Sequence, residues 1–234
     1  MNDSIDSKEK FEARAREYDQ QSRIALAGYE ACHELSACVL AAEISRRDDV
    51  TVLAAGSGTA QEVLCIGALE PKWRYVATDP SPTMNELAAI RLRSAKLDGQ
   101  TEIFTGYVQD LPTDRLFDGA TLIGVLHHLP SDSAKKEILS EIAARLKPKA
   151  PFVMACNRFS YASKPRFVGA WRQRWRMHGA SEDEIEEKFG KILHGAQPPQ
   201  SEQVVTDYLH GATFEEPELF FSSLFWSAWI CRKA

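Results

Sequence analysis

The segment from Val50 to Thr59 most constrains the fold, because an apolar, β-branched run enters a turn made of small residues. Gly56 and Gly58 remove side chains where the backbone must pass close to a ligand. A helical pattern follows, and a second short apolar run ends at Asp79, about 20 residues after the second glycine. A carboxylate at that strand end can accept hydrogen bonds from both hydroxyls of a ribose. The unit therefore predicts a strand–turn–helix–strand site for a nucleoside.

Strand and helix patterns alternate over about residues 50 to 156, which predicts an α/β fold with right-handed crossovers. The expected architecture is a Rossmann-like, doubly wound, mostly parallel seven-stranded sheet. N-terminal helices, a helical insertion that forms a lid and a C-terminal β-hairpin complete it. The predicted core strands are Val50–Ala54, Arg74–Thr78, Glu102–Thr105, Ala120–Gly124 and Pro151–Ala155. The predicted core helices are Gln61–Ala68, Thr83–Leu97 and Ser133–Leu146.

We divide the chain into four segments by pattern: an N-terminal helical lid (1–45), the nucleoside-binding core (46–156), a helical cap for the substrate (157–211) and a closing hairpin (212–234). The lid is expected to be helical over 11–18 and again from Arg23 to Ile44. The cap and the hairpin are predicted to contain three helices, Arg166–Met177, Glu182–Leu193 and Ser201–Leu209, and two strands, Glu215–Phe221 and Leu224–Arg232.

Composition excludes several function classes. The net charge of −5 and a pI near 5.7 argue against a nucleic-acid partner. No apolar run is long enough for a membrane span, and the polar N-terminus is unlike a signal peptide, so we expect a cytoplasmic protein. The cysteines are odd in number and scattered, which indicates buried thiols rather than disulfides, and neither they nor the histidines have metal-ligand spacing. The cysteines are Cys32, Cys38, Cys65, Cys156 and Cys231.

The glycine turn alone does not identify the nucleoside. A dinucleotide site needs G-x-G-x-x-G, and its third glycine falls on Gln61 or Thr59, depending on the register. The NAD interpretation fails in either register, although not decisively. A P-loop is absent, since no Gly-Lys-Ser/Thr occurs.

Three downstream segments are more specific: Gly106–Pro112, Phe117–Ala120 and Val125–Pro130, the last of which contains Leu-His-His-Leu. With the glycine turn and Asp79, they resemble the class I S-adenosylmethionine-dependent methyltransferase family over about residues 50 to 156. The family pattern is G-x-G-x-G, an acid that ends strand 2, GDAxDLP, FD and LHHL. The resemblance implies S-adenosylmethionine as cofactor, S-adenosylhomocysteine as product and a Rossmann-like fold.

The resemblance also assigns cofactor contacts. It puts Ala54, Gly56 and Gly58 beneath the methionine and ribose, and Asp79 at the ribose hydroxyls. It puts Pro80, Ser81 and Met84 along the adenine, Tyr107 and Val108 at the adenine edge, and Ile123 beside the methionine.

Three positions depart from the family pattern. Ala54 replaces the first glycine, Val52 stands where the family has an acid, and Tyr107 replaces an aspartate. We expect the lost polar contacts to be reassigned, to Gln109 or Glu62.

The N-terminal segment adds a second resemblance. Arg23 and Gly28-Tyr29 resemble a segment that precedes the core in carboxy-S-adenosylmethionine synthase and in small-molecule methyltransferases with a helical lid. This resemblance implies that Arg23 contacts the cofactor and that Tyr18 and Tyr29 close over its sulfonium end, with Tyr29 counted among the catalytic residues. The alternative is that Tyr29 is a half-buried helix residue.

Methyl transfer from a sulfonium is an in-line displacement, so the protein mainly aligns the groups and excludes water. His127 is the candidate for orienting the acceptor or removing its proton, because a neutral imidazole accepts a proton near pH 7. The alternative is a capping or core histidine. We expect a small-molecule acceptor in an enclosed pocket, with a homodimer possible.

Two other functions stay open. One is a synthase of the carboxy-S-adenosylmethionine type, in which Arg166 or Arg172 holds the added carboxylate. The other is a non-catalytic methyltransferase-like binding protein, which the departures at Val52 and Tyr107 favour.

Overall fold

One mixed sheet organises the molecule, whose computed structural model describes residues 18, 20–44 and 47–234. Its strands stand in the order β3-β2-β1-β4-β5-β7-β6. Strands β1 to β5 are parallel, β7 runs antiparallel to β5, and β6 pairs antiparallel with β7. The predicted fold class is confirmed. The strands are β1 (Thr51–Ala55), β2 (Arg74–Asp79), β3 (Thr101–Thr105), β4 (Gly119–Ile123), β5 (Pro151–Asn157), β6 (Phe214–Ser223) and β7 (Trp226–Lys233).

Helices cover both faces of the sheet, as the near-continuous apolar runs of the central strands require. Strand β1 shows why: Val52 and Ala54 face one apolar cluster, with α1, α2 and α3, whereas Leu53 and Ala55 face the other, with α4 and α7. The helices are α1 (Tyr29–Glu43), α2 (Gln61–Leu69), α3 (Pro82–Ser94), α4 (Asp132–Ala144), α5 (Pro165–Met177), α6 (Glu182–Gly195) and α7 (Glu202–Gly211). Helices α5, α6 and α7 lie between β5 and β6 in the chain, where the cap was predicted.

The N-terminal helix differs from the prediction. Instead of one helix over Arg23–Ile44, residues 20–25 are helical, a bend and turn follow, and α1 begins at Tyr29. Gly28 has a φ of 84°, a left-handed conformation that glycine adopts without strain. The apolar periodicity did not show the break, because a single glycine is tolerated in a helix. The other predicted stretch, 11–18, lies outside the described residues except for Tyr18.

The C-terminal hairpin turns later than the sequence indicated. The turn falls at Leu224 and Phe225 rather than at the preceding serines, and Leu224 has a φ of 51°. Buried thiols were expected throughout, but Cys38 is exposed and Cys65 only partly buried, while all five cysteines are free. None of the described helices is both long and apolar enough to cross a membrane.

Candidate active site

A cavity of about 890 Å³ opens over the carboxyl ends of β1, β2 and β4, and we call it the central cavity. This is the edge at which open parallel sheets bind ligands. Three parts of the chain meet there: the turns that follow the strands, the N-terminal segment and the cap helices. Among the predicted site residues, those that line it are Tyr18, Tyr29, Gly56, Gly58, Asp79, Pro80, Met84, Ile123 and His127.

The turn after β1 is held in a conformation that suits small residues. Gly56, Gly58 and Ala60 have φ values of 62°, 51° and 63°, so every second residue is left-handed. A Cβ at Gly56 would lie 2.4 Å from Cγ2 of Val125, so a side chain there collides with the segment after β4. Among the described residues, a Cβ at Gly58 would meet only the Tyr18 hydroxyl, at 3.7 Å. Gly58 therefore leaves its space open on the cavity side.

Ala54 lies outside this turn, which corrects the predicted register. It sits within β1, fully buried, paired with Ala77 and Thr121, and it does not line the cavity. The three small residues of the turn are therefore Gly56, Gly58 and Ala60. The acid of the family pattern, expected at Val52, then corresponds to Ala54, so the position is apolar in either register. Since Ala54 is enclosed by strand residues and does not line the cavity, its contact with a cofactor stays a prediction that this geometry does not support.

Asp79 is fixed by backbone amides before any ligand binds. Its Oδ2 accepts a hydrogen bond from the Gly58 N–H at 3.0 Å, and its Oδ1 accepts one from the Ser81 N–H at 2.8 Å. Ser81 itself caps α3, since its Oγ accepts from the Met84 N–H at 3.4 Å, and it does not line the cavity. The carboxylate, Pro80 and Met84 thus form one continuous part of the wall.

The turn after β3 contributes no wall to the central cavity. Tyr107 is 58% exposed and Val108 is buried in the apolar core. Gln109 is exposed, and its carbonyl accepts from Arg145 at 3.0 Å. None of the three lines the cavity, so their contacts with an adenine edge stay predictions.

The N-terminal segment covers one side of the cavity with two tyrosines. Tyr29 is buried, and its ring lies 4.5 Å from that of His33, whereas Tyr18 is 42% exposed. Arg23 does not line the cavity. Its guanidinium pairs with Glu30 at 2.9 Å and lies 5.9 Å from the Tyr29 ring centroid. Arg23 therefore packs behind Tyr29 instead of reaching into the site.

His127 is a wall residue whose proton position is set by a backbone donor. The Asn157 N–H donates to its Nδ1 at 3.3 Å, so the neutral ring carries its proton on Nε2. Burial, with the neighbouring His128 and Lys135, holds the pKa of His127 well below its usual value. His127 can thus donate a hydrogen bond, but its proton-accepting nitrogen is already occupied. Orientation of an acceptor fits this arrangement, and proton removal does not.

His128 was not among the predicted site residues, which included only His127 of this adjacent pair. Both imidazoles line the cavity, their centroids 4.2 Å apart. His128 is exposed as a whole residue. Its imidazole is nevertheless partly desolvated, which lowers its pKa from the usual value. A single 3-10 turn over Leu126–His128 brings both rings to one side, which strand alternation does not.

Two buried ionisable side chains complete the wall beneath the glycine turn. Glu62, in the first turn of α2, is 4% exposed, and burial raises its pKa to about 8 against smaller lowering effects that include Arg91. His33 of α1 is 4% exposed, and burial, together with Arg91, lowers its pKa to about 4. Oε1 of Glu62 and Nδ1 of His33 have no hydrogen-bond partner among the described residues. Both groups are therefore neutral near pH 7.

The opposite wall comes from the cap and is mostly aromatic. Trp171 and Trp175 of α5 are buried there with Tyr161, whose hydroxyl accepts from Nδ2 of Asn157 at 2.8 Å. Lys188 of α6 lies with its Nζ 4.6 Å from the Trp175 ring centroid. The described residues contain no group of three or more His, Cys, Asp or Glu side chains placed to hold a metal ion.

Comparison with known proteins bears on the family and the fold. Residues 52–149 match the family model described as a methyltransferase domain. No curated protein sequence matches the chain. The predicted resemblance to class I methyltransferases is confirmed, and the chain has their fold.

Three solved structures illustrate the fold. An O-methyltransferase family 2 protein of Planctomyces limnophilus, in complex with apigenin, has a TM-score of 0.68 at 11% identity, over 97% of this chain and 61% of that one. The 1,6-didemethyltoxoflavin-N1-methyltransferase of Burkholderia thailandensis, with bound 1,6-didemethyltoxoflavin and S-adenosylhomocysteine, has a TM-score of 0.60 at 20% identity, over 95% and 88%.

The third is described as a possible exported protein of Bordetella parapertussis, with a TM-score of 0.65 at 18% identity, over 86% of this chain and 66% of that one. The chain spans 55% to 66% of the length of the first three structures that it matches.

Proposed function

We propose that this protein is an S-adenosylmethionine-dependent methyltransferase that acts on a small-molecule acceptor. The observation that carries the proposal is the joint placement of the glycine turn and Asp79 at one end of a single cavity that has an aromatic wall at its other end. Its volume of about 890 Å³ lies in the upper part of the range of roughly 300–1,000 Å³ usual for ligand sites. A nucleoside cofactor and a second small molecule fit such a volume together.

The residues present suit this cofactor. Gly58 leaves open space where a side chain would stand, and a carboxylate oriented as that of Asp79 is a suitable acceptor for the ribose hydroxyls. Met84 offers a polarizable thioether to the flat face of an adenine. When bound, S-adenosylmethionine supplies a methyl group on an activated sulfonium. The protein then aligns the acceptor and excludes water, and the cap and N-terminal segments cover both sides of the cavity for that purpose.

The acceptor side supports a small, partly aromatic molecule. Trp171, Trp175 and Trp226 supply flat apolar surface, and His127 donates a hydrogen bond through Nε2. His128 has no bond that fixes its tautomer among the described contacts, so it is the imidazole placed to take a proton from an acidic acceptor. Two neighbours of similar fold are described with apigenin and 1,6-didemethyltoxoflavin, both small molecules.

The synthase reaction has weaker support. Arg166 and Arg172, the arginines expected to hold an added carboxylate, do not line the cavity, and Arg172 pairs instead with Glu186. Methyl transfer is therefore the reaction that we propose.

Calorimetric titration with S-adenosylmethionine and S-adenosylhomocysteine tests cofactor binding. Asp79→Ala should weaken both at least about tenfold, because two charge-assisted hydrogen bonds are lost together. Asp98→Ala, which removes an exposed carboxylate outside the cavity, is the matched control and should leave the affinity unchanged. An unchanged dissociation constant in Asp79→Ala contradicts the proposed binding mode.

Mass spectrometry then separates the reactions. Incubation with S-adenosylmethionine and extracted metabolites should raise the mass of a small molecule by one methyl group. Methylation of proteins or RNA alone contradicts the small-molecule proposal. A co-purified cofactor that is heavier by one carboxyl group supports the synthase instead.

A further inference from the structure

We propose that Glu62 binds the α-ammonium group of the cofactor's methionine portion and replaces the acid that the core lacks at Ala54. The inference rests on the proposed function, because it concerns the same cofactor in the same cavity. It assigns a carboxylate from α2, instead of one from β1, to the recognition of a primary ammonium.

The first observation is the position of a buried carboxyl group, one oxygen of which has no hydrogen-bond partner among the described residues. Glu62 lies in the wall of the central cavity, three residues after Thr59 and beneath the glycine turn. It is 4% exposed, and its Oε1 accepts no hydrogen bond from the described residues. A buried polar atom without a partner costs free energy, so native proteins rarely keep one unless a ligand or an ordered water satisfies it. A cationic donor in the cavity provides the missing partner.

The second observation is the absence of an acid inside β1. Ala54 and Val52 are both fully buried and apolar, so the strand beneath the turn offers no anion to a ligand. Glu62 enters the same region from the next element of the chain. Replacement of one carboxylate by another from a neighbouring element keeps the charge at the site and changes only the backbone that carries it.

Four other ionisable groups surround this carboxyl from the elements packed on it. Asp79 of β2 repels a charge on Glu62, and Arg91 of α3 attracts one. Arg91 donates to the carbonyl and hydroxyl oxygens of Thr59 at 3.1 and 2.6 Å. Cys65, one turn along α2, interacts electrostatically with Glu62, and His33 of α1 stands neutral in the same wall. An arriving ammonium thus meets two carboxyl groups and no charged histidine, and the one guanidinium named here, that of Arg91, donates to Thr59.

The proposal entails a balanced proton exchange. Because burial raises the pKa of Glu62 to about 8, the carboxyl is mostly protonated at pH 7. Pairing with an ammonium stabilises the carboxylate and lowers that pKa. The O–H bond of Glu62 breaks heterolytically, the proton passes to the buffer, and an N–H···O⁻ ion pair forms. Close to one proton is therefore released for each cofactor molecule bound.

Calorimetry in two pH 7 buffers of different ionisation enthalpy measures that proton. The titrants are S-adenosylhomocysteine and methylthioadenosine, which shares the adenosine and the thioether but lacks the amino-acid portion. The proteins are the natural chain, Glu62→Gln and the control Glu86→Gln, which alters an exposed carboxylate on α3.

For S-adenosylhomocysteine, the natural chain and Glu86→Gln should release close to one proton. Glu62→Gln should release close to none and bind this ligand at least about tenfold more weakly. All three proteins should bind methylthioadenosine with the same affinity, which also shows that Glu62→Gln is folded.

Other outcomes separate the two proposals. An equal proton release and affinity in Glu62→Gln and the natural chain overturns the role of Glu62 while it leaves cofactor binding intact. An equal loss of affinity for both titrants also overturns it, since the effect then lies at the adenosine or ribose. A natural chain that binds neither compound contradicts the proposed function itself.

Discussion

The backbone N–H of Gly58 donates to Oδ2 of Asp79 at 3.0 Å, so the turn after β1 and the end of β2 are joined through one hydrogen bond. Ser81 donates to the other carboxylate oxygen at 2.8 Å. The carboxylate is thus oriented by the chain itself, and Asp79 lines the central cavity. Preorganisation of this kind reduces the entropy lost when a ligand is ordered.

The two glycines of the turn should respond differently to alanine. Gly56→Ala combines a positive φ with a 2.4 Å approach to Val125, and we expect it to destabilise the protein by about 2–3 kcal/mol. Gly58→Ala introduces strain from the positive φ but no close contact with a described residue, and it should lower the free energy of unfolding by about 1 kcal/mol. Its methyl group, however, enters the part of the cavity in which we propose that the cofactor binds, and should weaken S-adenosylhomocysteine binding. Denaturant unfolding together with calorimetry checks both effects. Equal stability losses in the two variants contradict this account of the turn.

Glu62 should make the ligand-free protein less stable as pH rises. Its pKa is raised from 4.5 to about 8, so the folded state holds a proton that the unfolded state releases between these values. The contribution is full below pH 4.5 and is lost up to about pH 8, by an amount on the order of a few kcal/mol.

Urea unfolding at pH 5, 6.5 and 8 should therefore show a steeper decline for the natural chain than for Glu62→Gln. Glu86→Gln should follow the natural chain. Parallel curves for all three proteins show that Glu62 ionises normally in the folded state.

Substitution of His127 and of His128 should have different effects on kcat and KM. His128→Gln should lower kcat about a hundredfold if the acceptor must lose a proton, because the free imidazole is removed. His127→Gln should act mainly on KM and on stability, since this ring donates a hydrogen bond from a buried position. Both are measured as pH profiles with the acceptor found by mass spectrometry. A larger loss of kcat in His127→Gln than in His128→Gln would show that His127, and not His128, is the general base.

Asp118 should matter for stability but not for binding. Burial alone would raise its pKa, yet hydrogen bonds from Lys147, the Thr51 amide and Arg47 outweigh burial and hold the pKa below its usual value. These bonds hold the amino ends of β1 and β4 together, away from the central cavity.

Asp118→Asn should cost about 2–3 kcal/mol near neutral pH. The difference from the natural chain should shrink as pH falls below 3.8, where the unfolded and then the folded carboxylate are protonated. The affinity for S-adenosylhomocysteine should stay unchanged. A loss of affinity larger than threefold contradicts the assignment of Asp118 to the frame of the sheet.

Local patterns predicted most of the fold, because the buried parallel strands read as apolar runs and the helices carry their own caps. Ser181 caps α6 and Ser81 caps α3, and both helices begin there. The break at Gly28 was missed, since one glycine in a helical pattern has several structural uses.

The sequence predicted the site less completely than it predicted the fold. The register of the turn depends on Ala60, an alanine in a left-handed conformation that glycine usually occupies. His128 reaches the cavity through a 3-10 turn. Glu62 and Gln109 were both expected to take over the lost polar contacts, and only the packing shows that Glu62 is buried in the cavity wall whereas Gln109 is exposed outside it. Such features arise from tertiary packing, which no local spacing encodes.

The most direct test of the central claim is a crystal structure of the protein soaked with S-adenosylhomocysteine. We expect the ligand at the carboxyl ends of β1, β2 and β4, with both ribose hydroxyls within hydrogen-bond distance of Asp79 and the ligand's amino group near Glu62. An empty cavity at saturating ligand, or a ligand bound away from Asp79, contradicts the proposed methyltransferase site.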